Sequence, residues 1–134
     1  MKGLKIALWV TAIGCLTAVP FIFLPWAAVE SIGSWFGVEQ LPDTLIAIYF
    51  FKVVFGVFGL IGVFFIILAR NPLKYGPMLH LGAVGLILFG LLALILGLSI
   101  GLPLIVYLGD GLSGLVLGGA VFIFSSKPNK ALKK

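Results

Sequence analysis

Four long apolar runs organise the chain, at about 6–26, 44–69, 77–100 and 103–124. Each approaches the ~20 residues that a helix needs to cross the ~30 Å hydrocarbon core of a bilayer. Polar residues gather where the runs stop, and the stops carry turn chemistry. Asn71-Pro72 and Gly76-Pro77 bracket a short polar loop, and Gly101-Leu102-Pro103 sets a tight reversal. Leu41-Pro42-Asp43 leads into the second run with proline at the helix entry. Pro20 falls late in the first run, where it removes a backbone donor and predicts a kink. Between the first two runs, Val29, Ile32 and Phe36 recur at helical spacing among Glu30, Ser31 and Ser34. That pattern predicts a short helix lying in the outer membrane interface, although Gly33 and Gly37 weaken it. A lid or a partner-binding loop is the functional alternative for this segment. The predicted fold is an all-α membrane protein: one four-helix transmembrane bundle over 1–134, ending in a basic tail at 125–134.

Composition removes the soluble alternative. Hydrophobic residues make up 62% of the chain and charged residues 10%. A soluble domain holds about 25% charged residues, and this chain could not cover itself with polar surface. The net charge of +5 does not point to nucleic acid. Lys2, Lys5, Arg70, Lys74, Lys127, Lys130, Lys133 and Lys134 all flank apolar runs and form no stripe with interleaved aromatics.

Their placement sets the topology. The segment from Ala27 to Asp43 carries Glu30, Glu39 and Asp43 and no Lys or Arg, and the turn at Gly101 is uncharged. By the positive-inside rule both termini are cytoplasmic and the first and third loops are outside. The expected location is the inner (plasma) membrane, with multiple passes and basic flanks touching anionic lipid. Trp9, Trp26 and Trp35 fall near predicted boundaries, where indole rings favour the interface. The first apolar run exceeds the 7–15 residues (about) of a signal-peptide core, so a retained first span is expected.

Lipid supplies little hydrophobic drive between helices, so close packing depends on small residues. The predicted packing positions are Gly14 in the first span, Gly56 and Gly59 in the second, Gly82 in the third, and Gly114 and Gly118 in the fourth. In the third span Gly82, Gly90 and Gly97 share a stripe from which Gly85 is offset. Spans one and two do not resemble spans three and four, which argues against an inverted-repeat transporter.

Lys52 and Asp110 are ionisable residues inside otherwise apolar spans, a costly placement that marks a candidate site. At ~1.5 Å per residue they lie about 12 Å and about 10 Å inward from the outer ends of their helices. Each shares a stripe with small residues. The expectation is that spans two and four adjoin and that Lys52 meets Asp110, with Tyr49 and Tyr107 one turn above as hydrogen-bond partners. Such a pair is either a lock on helix register or the base of a polar cavity open to the outside, able to bind an anionic headgroup or relay protons.

Other chemistry is sparse. Cys15 is the single cysteine, which rules out an intrachain disulfide and a cysteine-based metal site. His80 is the single histidine, so bis-histidyl haem ligation is impossible within one chain, and an interfacial, hydrogen-bonded role is expected. The acidic residues outside match no calcium loop, and Gly109-Asp110-Gly111 lacks the Lys-Ser/Thr element of a phosphate loop. No cofactor or metal is expected, and no catalytic set is visible. The leading expectation is therefore a non-enzymatic accessory or structural subunit, embedded in the lipid bilayer and assembled with other membrane subunits or copies of itself. The rival is a small transporter or lipid-binding protein with its site at Lys52 and Asp110. No motif is specific to one family, and architecture alone does not carry function.

Overall fold

A computed structural model describes residues 2–38, 40–72 and 74–126, and among these the chain is all-helical, without strands. The helices are α1 (Lys2–Leu16), α2 (Pro20–Phe23), α3 (Trp26–Trp35), α4 (Leu45–Arg70), α5 (Gly76–Ile100) and α6 (Leu104–Ser126). Four segments are long and apolar enough to cross a membrane: Lys2–Phe23, Leu45–Arg70, Gly76–Ile100 and Leu104–Ser126. Their 22 to 26 residues match the length a bilayer demands. Glu39 and the basic tail from 127 onward lie outside the described residues.

Local chemistry accounts for the helix ends. Pro20 has no N–H to offer the Leu16 carbonyl. The Val19 N–H takes that carbonyl at 3.0 Å, and the Phe21 and Ile22 N–H groups bond three residues back. The first span therefore tightens at Thr17–Val19 and restarts as α2, the break that a proline in mid-span imposes. The Thr44 hydroxyl caps α4 by accepting from the Ala47 N–H at 3.4 Å. Pro77 sits in the first turn of α5, and Gly101, with φ 74°, closes it. Both Gly101 and Leu102 donate to the Gly97 carbonyl, so the chain reverses into α6 within three residues. In the loop between the first two spans, Val29 and Ile32 fall inside α3, whereas Phe36 lies just beyond its end. Gly37, with φ 81°, ends the helix there.

The spans associate as two pairs. α5 and α6 touch along their whole length, because small residues let the backbones meet. A Cβ added at Gly114 would stand 2.8 Å from the Gly90 Cα, and one at Gly118 would stand 2.9 Å from the Ala83 carbonyl oxygen. Gly97 receives the Tyr107 ring and Gly111 receives Leu94. α1 packs against α4 in the same manner, with Leu16 over Gly62, and Val19 of the following turn covers Gly59. Gly56 approaches Ile22 more loosely, at 4.0 Å.

The pairs join at the end of the bundle that carries the N-terminus. Leu4, Leu8 and Ala12 of α1 meet Phe65, Leu68 and Ala69 of α4, Leu79 and Ala83 of α5 and Val121 of α6 in one buried cluster. Toward the opposite end α4 leans on the α2–α3 segment through tilted aromatic contacts, Phe21–Phe55 at 5.4 Å and Trp26–Phe51 at 5.5 Å. The Trp26 Nε1–H is buried there without a hydrogen-bond partner among the described residues. The backbone of α4 stays apart from those of α5 and α6, which it meets only through large side chains. The expected adjacency of spans two and four is thus incorrect. The glycines of α4 are taken up by α1 and those of α6 by α5, leaving bulky residues where α4 faces the second pair.

Candidate functional site

The space between the two pairs is a cavity of about 690 Å³, lined by residues of all four spans. α1 contributes Thr11, Gly14 and Cys15, and α4 contributes Val54, Val57, Phe58, Ile61, Phe64 and Phe65. α5 contributes Leu81, Gly82, Gly85, Leu86 and Phe89, and α6 contributes Asp110, Ser113, Gly114 and Leu117. At the floor, the Phe64 and Phe65 rings rest over Gly82, with Phe65 only 2% exposed. Phe58 and Phe89 meet edge-on at 5.6 Å and act as a strut between α4 and α5. Their bulk holds α4 away from α5 and leaves the surface beside Gly85 open.

Glycines shape the interior in a second way. A Cβ at Gly14 or at Gly85 would meet nothing within 4 Å. Gly14, expected in a helix contact, lies on the open cavity wall. Gly85, offset from the packing stripe of its helix, does the same.

Among the described residues, Asp110 is the single charged one on this wall. Its side chain is exposed to the cleft and has no ion pair or hydrogen bond among the described residues. The two hydroxyls nearby are already engaged within their own helices. Thr11 Oγ1 donates to the Ala7 carbonyl at 2.9 Å, and Ser113 Oγ donates to the Asp110 backbone carbonyl at 2.9 Å. The cavity therefore offers aromatic and aliphatic surface with one unpartnered carboxylate. Such a mix, mostly apolar with few polar groups, is typical of small-molecule pockets of roughly 300–1,000 Å³.

The other predicted site residues are elsewhere, and the Lys52–Asp110 ion pair does not form. The α4 lining positions 54, 57, 58, 61, 64 and 65 define one helix face. Lys52 precedes Val54 by two residues, so at ~3.6 residues per turn it points to the other side of the helix. It is half-buried and has no ion-pair partner among the described residues, and its long stem can carry the ammonium toward the nearer membrane edge. The two residues face different neighbours. Tyr49 is 63% exposed with its ring against Phe50, and Tyr107 packs on Gly97. Of the four residues proposed as a polar site, Asp110 alone lines the cavity.

His80 lies outside the cavity. Its Nδ1–H donates to the Gly76 carbonyl at 3.0 Å, and its ring meets Phe122 edge-on at 5.8 Å. Among the described residues, no three His, Cys, Asp or Glu side chains come together as a metal would require. The lining residues that sequence reasoning overlooked, chiefly Thr11, Cys15, Phe58, Phe89 and Ser113, look like ordinary span residues. The sequence signal that pointed to an opening was Asp110, a carboxylate within an apolar run. No family model, curated protein or solved structure matches this chain.

Proposed function

We propose that this small integral membrane protein is a non-enzymatic binding protein that takes a hydrophobic small molecule or lipid into the cleft between its two helix pairs. One observation carries the reading: a 690 Å³ cavity touched by all four spans and lined almost wholly by apolar side chains. The cleft opens to the surface, so a lipid or lipophilic molecule that enters it gains dispersion contacts along its walls. The accessory-subunit alternative rests on the small size and on the lack of a visible catalytic set, and a dry ion pair locking spans two and four, which would have favoured it, is not present. The distribution of Lys and Arg supports a plasma-membrane orientation with both termini in the cytoplasm, and α3, with Val29 turned inward, lies along the outer interface. The Asp110 end of the cavity then faces the outer leaflet.

Photolabelling tests the reading. Purified protein in phosphatidylcholine nanodiscs is irradiated with a trifluoromethylphenyl-diazirine probe, and adducts are mapped by mass spectrometry. Labelling at Cys15, Phe58 and Phe89 is expected to saturate and to be competed by excess unlabelled probe. Labelling at lipid-facing Leu60 and Ile95, which are 72% and 64% exposed, is expected to rise linearly. Gly14→Leu together with Gly85→Leu fills the cleft and abolishes the saturable component alone. Linear labelling at every position refutes the binding reading.

A further inference from the structure

The cleft is not chemically neutral, and its one charge names the class of ligand. Resting on the binding reading above, we infer that the ligand is a lipophilic organic cation, an amine or quaternary ammonium on an apolar body, held with the Asp110 carboxylate as its counter-charge. Three observations converge. Asp110 reaches the cavity with no cation, hydroxyl or amide among the described residues to compensate it. Lys52, the basic residue set well inside α4, is turned to the opposite side of that helix and lines no part of the cavity. The rest of the wall includes Phe58, Phe64 and Phe89, whose ring faces attract an organic cation and accommodate its apolar groups. Because Gly90 meets Gly111 and Gly114, Phe89 stands within about one turn of Asp110 along the bundle axis, so one ligand can touch both.

Competing ligand chemistries fit less well. An anionic lipid headgroup would bring a second negative charge beside the carboxylate in a medium that screens it poorly. A bare inorganic cation needs six or more oxygen ligands when it is calcium and close to six when it is magnesium, whereas this wall offers one carboxylate beside hydroxyls that are already engaged. A neutral lipid would leave the carboxylate unpaired in oil. A cation with an apolar body satisfies both the charge and the volume.

The test uses two ions of matched size and opposite charge, tetraphenylphosphonium and tetraphenylborate, with purified full-length protein in detergent and protein-free micelles as the blank. Equilibrium dialysis is expected to show the cation binding at least tenfold more tightly than the anion. Asp110→Asn is expected to lower cation affinity at least tenfold and to erase the preference, while Asp110→Glu keeps it. The comparison of the two ions on the unaltered protein stands even where a variant fails to fold. If both ions bind equally and Gly85→Leu removes both, the cleft binds ligands but the charge assignment is wrong. If neither ion binds, or if Gly85→Leu leaves binding unchanged, the cleft reading itself falls and the cation assignment with it.

Discussion

Adding one methyl group at the centre of the α5–α6 seam tests the packing that creates the cleft. Alanine at Gly114 would place its Cβ 2.8 Å from both the Gly90 Cα and the Leu86 carbonyl oxygen. Alanine at Gly90 would place its Cβ 2.7 Å from the Gly111 carbonyl oxygen and 2.9 Å from the Leu115 nitrogen. Optimal carbon–carbon separation is about 3.5–4.0 Å, so the helices must part by ~0.7 Å or more. A gap of ~0.5–1 Å forfeits a quarter to a half of the attraction at each contact it opens. The opposing atoms are backbone, which cannot swing away as a side chain would. Gly109 and Gly119 lie on the same helix with nothing within 4 Å of their Cβ positions. Gly109→Ala and Gly119→Ala therefore supply the matched control, because the gain in helix propensity, up to ~1 kcal/mol, is common to all four substitutions. Relative to those controls, Gly90→Ala and Gly114→Ala are expected to lose about 1–3 kcal/mol each, the usual cost of overpacking. The double variant is expected to lose less than the sum, since helices separated by the first methyl leave room for the second. Reversible unfolding in mixed micelles, or steric trapping in bicelles, reads these differences directly. If interface and control variants agree within ~0.5 kcal/mol, the limit for independent surface sites, the backbones do not touch as described.

Lys52→Met and Asp110→Asn are expected to combine additively in the same assay, within about 0.5 kcal/mol, because their side chains do not meet; a larger coupling would reinstate an ion pair. Phe65→Ala empties the floor of the cleft and is expected to cost about 3–5 kcal/mol, whereas Leu60→Ala, at a lipid-facing position, stays within ~0.5 kcal/mol in the same unfolding titration. With Cys15 replaced by alanine, Ser34→Cys is expected to react with an impermeant maleimide on intact cells and Ser126→Cys only after permeabilisation, and the reverse order would invert the orientation inferred from charge.

Hydropathy and turn residues carried most of the secondary structure. The spans observed at Leu45–Arg70, Gly76–Ile100 and Leu104–Ser126 begin and end within two residues of the apolar runs that foretold them. Pro20 foretold the break between α1 and α2. These features depend on each segment and its solvent, and a single segment displays both. The candidate site was only partly legible. Asp110 stood out because a carboxylate within an apolar run is expensive wherever its helix packs. Its partner was misjudged because a stripe of small residues says that a helix has a close neighbour without saying which neighbour.

The chain by itself determined the number of apolar helices long enough to span, their length and their breaks, since these follow from matching apolar length to a slab of hydrocarbon. Tertiary structure alone decided which faces met. Glycines on α4 and α6 were absorbed by α1 and α5, and the bulky phenylalanines left facing each other kept the two pairs apart. Rotation about a helix axis costs nothing in the bilayer until a neighbour is present, so the azimuth of Lys52, and with it the solitude of Asp110, belongs to the assembled bundle.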